Sequence, residues 1–313
     1  MRFNSIPPVP NAQTLLDIVF RKTRDAAQKA RPHSGHAVHR KEQKRVIMVA
    51  DTLRQKLITA IKSFSAPSTP FYKELMSITI DDEQYNQALS GVRLCIERLD
   101  KVKSYTLQRL EKAPNVDRLR RAYYGRISAI IKKTQKSLAY LEQVRRIMRD
   151  FPMIQDMPTA AIAGFPNVGK TTLLNKLTQS NAEVAAYAFT TTSINSGFFS
   201  VGSTAMQLLD TPGTLARLDK MNDIEKQAYC AMKHCADIIV YVFDPTEEYP
   251  LAQQERLFEI VKALGKPVLL YLSKTDRVPE HQFKKRYPNI IISIDELKEK
   301  IYSLLRLAQQ GSN

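Results

Sequence analysis

The segment Gly164-Phe165-Pro166-Asn167-Val168-Gly169-Lys170-Thr171 fits the pattern GxxxxGK[ST] and constrains the fold of this chain more than any other feature. It follows the apolar run at 159–163 and opens a helical segment expected at 170–177. A strand, a glycine-bearing loop and a helix in that order wrap backbone N–H groups around phosphate oxygens, and the helix dipole adds positive potential. Gly164 and Gly169 permit the tight curvature, with Phe165, Pro166, Asn167 and Val168 between them. Lys170 can neutralise β- and γ-phosphates, Thr171 offers a hydroxyl to Mg²⁺, and Thr172 joins the same phosphate-binding set.

The surrounding pattern agrees. After residue 158, strand-like runs at 159–163, 194–201, 206–209, 238–243, 268–272 and 290–294 mostly alternate with helical segments at 170–177, 222–234, 251–264 and 295–308. Gly202-Ser203 reads as a tight turn pairing the second and third strands. The prediction for 156–313 is an α/β P-loop domain with a mostly parallel six-stranded sheet and helices on both faces. Residues 1–155 read as an all-α bundle with helices near 11–30, 35–63, 82–110 and 116–150. In the last of these, Ile127, Ile130, Leu138, Leu141, Val144 and Met148 form one apolar stripe. Residues 65–70 are expected to connect helices, and Asp81-Asp82-Glu83 suits a helix start.

Charge divides the chain at the same place. Residues 1–150 hold 30 Lys+Arg against 14 Asp+Glu, so they carry the entire net charge of +16. That asymmetry points to a polyanion partner, and nucleic acid is the one expected. Arg118, Arg120, Arg121, Arg126, Lys132, Lys133 and Lys136 are candidate phosphate contacts within 116–150, and such contacts position a complex without reading bases.

Two further elements complete a nucleotide site. Asp210-Thr211-Pro212-Gly213 follows a strand, where Asp210 can hold Mg²⁺ through water and Gly213 can present its N–H to a γ-phosphate. Ser273-Lys274-Thr275-Asp276 resembles the guanine-reading NKxD element with Ser replacing Asn. Asp276 would accept hydrogen bonds from guanine N1–H and N2–H, which adenine lacks in that geometry. The stem of Lys274 can lie across the base. Ser273, shorter than Asn, supplies a weaker or water-mediated contact. Ser293, ending the run at 290–293, is a candidate for the last guanine-contacting element.

Taken together these residues resemble the nucleolar GTP-binding protein 1 family, within the Obg-like translation-factor class. The resemblance extends to Ile6-Pro7-Pro8-Val9-Pro10, Ser137-Leu138-Ala139-Tyr140-Leu141, Tyr187-Ala188-Phe189-Thr190-Thr191, Glu225-Lys226-Gln227-Ala228 and Asp244-Pro245-Thr246-Glu247. It implies a GTPase, hydrolysing GTP to GDP and phosphate, that acts in large ribosomal subunit assembly. Its helical domain would engage ribosomal RNA, pre-ribosomal particles and assembly factors. It also implies that Thr191, with Thr190 or Thr192 as alternatives, is the switch threonine reaching Mg²⁺, so Lys170, Thr191 and Gly213 form the expected catalytic set. Thr214 stands where many relatives place a water-orienting glutamine, which predicts slow intrinsic hydrolysis. Asn167 resembles an asparagine that helps hold K⁺ in related GTPases; a loop hydrogen bond is the alternative. The chain lacks the long C-terminal extension of eukaryotic members, so an archaeal-type, cytoplasmic protein is expected over a nucleolar one.

Other classes fit less well. Cys95, Cys230 and Cys235 build no disulfide framework and show no Cys/His zinc spacing, so packing roles and a reducing compartment are expected. No stretch is apolar enough to span a bilayer, and no signal-peptide pattern opens the chain. Two alternatives stay open: a nucleotide-binding scaffold with little turnover, and a GTPase at an anionic membrane surface.

Overall fold

The computed structural model describes residues 6–28, 35–64, 69–151, 154–178, 185–187, 194–201, 204–211, 221, 223–246, 249–277 and 281–310. Helices α1 (Ala12–Gln28), α2 (Gly35–Lys62), α3 (Pro70–Thr79), α4 (Asp82–Leu110), α5 (Val116–Lys133) and α6 (Gln135–Arg149) come first. There follow β1 (Thr159–Ala163), α7 (Lys170–Thr178), β2 (Ala185–Tyr187), β3 (Ile194–Val201), β4 (Thr204–Asp210), α8 (Asp223–Cys235) and β5 (Ile238–Phe243). The chain continues through α9 (Leu251–Lys262), β6 (Val268–Leu272), α10 (His281–Arg286) and α11 (Ile294–Gln310).

The chain forms two compact units, one built from residues 1–67 and 80–149, the other from 68–79 and 150–313. Residues 68–79 thus group with the second unit. The first unit's chain leaves it after α2, contributes α3 to the second unit and returns as α4. The connector expected at 65–70 in fact runs into a helix at Pro70. Proline is favoured at a first helical position, where its missing N–H costs nothing, and α3 buries Phe71, Tyr72, Leu75 and Met76.

In the first unit, Asp81 caps α4 by accepting from the Gln84 N–H at 3.0 Å, and Asn115 caps α5 by accepting from the Arg118 N–H at 3.0 Å. These caps satisfy amides that the first turn leaves without helical partners. Leu53, Leu99, Ile127, Ile131 and Leu141 are fully buried. The helix expected at 116–150 is two, α5 and α6, with Thr134 between them, its hydroxyl donating to the Ile130 carbonyl at 3.0 Å. On α5 the buried residues are Tyr123, Ile127 and Ile131, four apart, so Ile131 rather than Ile130 takes the buried place. Gly91 lets α4 approach α6 closely: a Cβ there would lie 2.5 Å from Ser137 Oγ. The segment before α1 is pinned to α6 by Val9 N–H donating to Glu142 Oε2 (3.0 Å) and Ala12 N–H donating to Gln135 Oε1 (2.8 Å).

The second unit holds a six-stranded sheet in the order β2-β3-β4-β1-β5-β6. The pairs β1–β4, β1–β5 and β5–β6 are parallel, and β2–β3 and β3–β4 are antiparallel. It is a mostly parallel sheet of the P-loop type, and every residue of β1 and β5 is buried, as central parallel strands require. The sixth strand is not the one expected. Residues 290–294 make a single bridge, Ile291 to Tyr271, while the three-residue β2 extends the other edge. Ser293 caps α11, its hydroxyl facing the Glu296 N–H at 3.4 Å, and so ends the extended run. Helices α7 and α11 pack together against the sheet, α8 contacts β1, α9 contacts β5, and α3 covers α8. Among the described residues no helix is long and apolar enough to cross a membrane.

Candidate nucleotide-binding site

The loop between β1 and α7 has the backbone its sequence demands. Gly164 has φ 148° and Gly169 φ 96°. At Gly164 a Cβ would sit 2.8 Å from the Val242 carbonyl of the neighbouring strand, so only glycine fits. Asn167 takes the left-handed conformation at φ 60°, which asparagine tolerates better than most residues. Phe165 stacks 4.7 Å from Tyr249, and Val168 is fully buried, which anchors the loop from beneath. Pro166 and the exposed Asn167 form its outer turn.

Lys170 folds back into this loop. Its ammonium donates to the Phe165 carbonyl at 2.6 Å, and the side chain is buried. Burial pulls its pKa down to about 8, against the opposing pull of Asp210. A phosphate arriving here would replace a neutral carbonyl by an anion. Thr171 donates from Oγ1 to Asp210 Oδ2 at 2.6 Å. The parallel register that sets Ile162 beside Asp210 makes this meeting possible. Thr171 directly and Asp210 through water are the residues here that could hold Mg²⁺. Thr172 is exposed on the same first turn. Thr211 locks the start of the second element, its N–H and hydroxyl both donating to the Ile162 carbonyl (3.2 and 2.7 Å). Thr190, Thr191, Thr192, Gly213 and Thr214 lie outside the described residues.

The third element follows β6. Ser273 is buried, and its hydroxyl donates to the Phe243 carbonyl at 3.0 Å. Its Cβ lies 3.8 Å from where a Gly169 Cβ would be, so this turn and the phosphate loop are neighbours. The hydroxyl is thereby committed to β5, where an asparagine amide could have reached across. Lys274 adopts φ 48°, and its ammonium contacts Asp244 Oδ2 at 2.5 Å. Asp276 is left with its side chain 79% exposed, and Arg277 is 3.9 Å away. That carboxylate can accept from a base edge. Ser293, the fourth candidate, is exposed and caps α11.

Residue-level reading of the sequence assigned Asp244 no role, yet it anchors this turn. It is buried at the end of β5. Burial opposes its ionisation, but hydrogen bonds from Lys274 and from the Thr246 N–H and hydroxyl outweigh that and hold its pKa below the usual carboxylate range. Gln254, also buried, brackets its backbone through Asp244 N–H (2.9 Å) and Asp244 carbonyl (2.9 Å). The visible signal was an aspartate closing the apolar strand Ile238–Phe243.

In the first unit, a groove of about 610 Å³ lies between α4 and α5. Arg109 and Arg126 stand over the Tyr105 ring at 4.8 and 5.0 Å, and Lys112 and Arg118 line the same groove. Arg118, Arg121, Arg126, Lys132, Lys133 and Lys136 are exposed. Arg120 is instead engaged by Asp117 (2.7 Å) and Glu42 (3.7 Å). Tyr105 and Arg109 on α4, and Lys112 in the turn after it, lie outside the basic run that the sequence shows.

Comparison with known proteins matches a helical region and a GTPase region of the chain. Residues 3–155 match the NOG1 N-terminal helical domain, and residues 159–274 match the 50S ribosome-binding GTPase family. The chain is 31% identical to nucleolar GTP-binding protein 1 of Drosophila melanogaster over 98% of its own length and 49% of that protein's. It is 32% identical to an uncharacterized protein of Methanocaldococcus jannaschii, covering 76% of this chain and 68% of the relative. Among solved structures, the G domain of the T. maritima FeoB iron transporter is 30% identical with a TM-score of 0.40, covering 47% of this chain and 98% of that one. The chain spans about half the length of the first eukaryotic relatives it matches. It belongs to the nucleolar GTP-binding protein 1 family and carries that family's helical domain ahead of a P-loop GTPase domain.

Proposed function

We propose that this chain is a Mg²⁺-dependent GTPase that acts as a switch in large ribosomal subunit assembly, with its basic helical unit facing ribosomal RNA in pre-ribosomal particles. The observation that carries the reading is the convergence of Lys170, Thr171 and Asp210 at the end of β1 and β4, next to a turn that exposes Asp276. When bound, Mg²⁺ would offset phosphate charge. Lys170 binds the phosphates, Thr171 and Asp210 hold the ion, and Asp276 selects guanine. By the family resemblance, Thr191 and Gly213 would act at the γ-phosphate end of bound GTP. With Thr214 in the water-orienting position, the isolated protein turns over slowly.

Charge supports the RNA side, since the excess of +16 resides in residues 1–150. The Arg109–Tyr105–Arg126 stack suits an unpaired base or a phosphate. Calorimetry with GTP and ATP in Mg²⁺ tests the nucleotide reading: GTP should bind far more tightly, and equal affinities would reject it. Sedimentation with large-subunit precursors tests the assembly reading, which fails if the protein stays free in GTP and GDP alike. We propose Asn167 as a potassium ligand, with a loop hydrogen bond as the alternative reading; turnover that is the same in K⁺ and Na⁺ removes the potassium role.

A further inference from the structure

The second unit contains a side-chain cluster that the nucleotide chemistry does not use. Cys230 and His234 are one turn apart on α8 and so share a face, and α3 brings Glu74 opposite them. The three ligand atoms lie within 4.8 Å of one another. His234 Nε2 and Glu74 Oε2 are 2.5 Å apart. The Cys230 thiol faces the Phe71 carbonyl of α3 at 3.6 Å. We propose that Glu74, Cys230 and His234 form a Zn²⁺-class metal site that fastens α3 to α8.

The geometry requires only small movements. Tetrahedral zinc with bonds of about 2.0–2.3 Å spaces its donors about 3.3–3.8 Å apart. The carboxylate and imidazole must part by about 1 Å, and the sulfur must close by a similar amount. The donor set also selects the ion. One thiolate, one imidazole and one carboxylate suit Zn²⁺, whereas Mg²⁺ and Ca²⁺ favour all-oxygen shells. Three protein donors leave a fourth position for water. Cys230 is fully buried, while Glu74 and His234 are part-exposed and give the ion its way in.

The charges balance on binding. Without metal the thiol is held protonated, its pKa pushed up to about 12 by burial and then by Glu74 and Cys235, with Lys233 opposing. Metal takes the thiolate and releases one proton to water. Lys233 now contacts Glu74 Oε2 at 2.9 Å and is 45% exposed, so it can yield that oxygen and swing into solvent. Glu74 carboxylate, Cys230 thiolate and the dication then sum to zero. The local Cys/His spacing looked empty in sequence because the third donor comes from α3, far upstream.

The test is a Co²⁺ titration of the metal-stripped full chain. The expected result is a thiolate-to-Co²⁺ charge-transfer band that Zn²⁺ abolishes, and a rise in Tm of about 5 °C with saturating Zn²⁺. Mg²⁺ should leave the band in place. Glu74→Gln and His234→Gln should each weaken Co²⁺ binding at least about 100-fold, a loss that even outer-shell changes reach. Cys230→Ser should remove the band and Cys235→Ser should keep it. No band in the wild-type chain, a band that survives Cys230→Ser, or unchanged affinity in both Glu74→Gln and His234→Gln would overturn the proposal. Because Cys230 is buried, the two less buried variants decide the matter if Cys230→Ser does not fold.

Discussion

Lys274 Nζ lies 2.5 Å from Asp244 Oδ2, and that contact joins the end of β5 to the turn that presents Asp276. Asp244 is 1% exposed and Lys274 22%, so the pair is well shielded from solvent. Asp244→Ala should cost about 3 kcal/mol, the usual consequence of removing one member of a buried ion pair. The left-handed turn at Lys274 should loosen with it and GTP affinity should fall, while Asp244→Asn keeps the Thr246 contacts and does less harm. Denaturant melts and GTP calorimetry on both variants check this. The carboxylate's depressed pKa gives stability that is present above the ordinary carboxylate range and is lost on acidification.

Lys170 makes a proton-linkage prediction. Its pKa of about 8 in the nucleotide-free protein means that roughly half the molecules carry a neutral amine at pH 8. Bound phosphates favour the ammonium, so GTP binding near pH 8 should take up about half a proton, and almost none near pH 6. Calorimetry in buffers of differing ionisation enthalpy measures this. Uptake that is the same at both values would show that burial does not hold the lysine down.

Arg126 and Arg120 should behave differently in RNA binding. Arg126 stacks on Tyr105 and is exposed, whereas Arg120 is held by Asp117 and Glu42. Arg126→Ala should weaken binding to large-subunit RNA and reduce the salt slope by about 1. Arg120→Ala should leave that slope unchanged and lower Tm instead. Filter binding across a salt series separates the two.

Glu142 should dominate the acid response of the helical unit. Hydrogen bonds from Arg145, joined by the Val9 N–H and Arg146 against the cost of burial, hold its pKa at about 2. The carboxylate is depressed, so its contribution is complete above the ordinary carboxylate range and disappears as pH falls toward about 2. Glu142→Gln should cost roughly 2 kcal/mol at neutral pH once partial exposure is discounted. The deficit relative to the wild-type chain should shrink between pH 5 and 2, as unfolding curves at a series of pH values would show.

Chemistry that is local in sequence was legible. The phosphate loop needs two glycines, a lysine and a threonine within eight positions, and the backbone angles at Gly164 and Gly169 are those such a loop requires. The start of α4 at Asp82 was equally plain, because its cap and its acidic first turn are contiguous. What stayed hidden depends on distant partners. Nothing near Asp244 announces Lys274, which is 30 residues away. The apolar residues at 290–294 read as a strand, yet Ser293 diverts them into α11. Three residues are too few for β2 to show a period, and α3 was concealed by the prolines and serines before it, although Thr69-Pro70 is a helix-start signal.

The excursion of α3 bears on how the protein is made. Phe71 and its contact Cys230 are 159 residues apart. A ribosome adding 5–20 residues per second leaves the apolar side of α3 without its cover for about 10–30 s after it emerges. Throughout that interval Phe71, Tyr72, Leu75 and Met76 stay open to other chains. A trigger-factor-like holdase binding there during translation would spare the nascent chain from clumping.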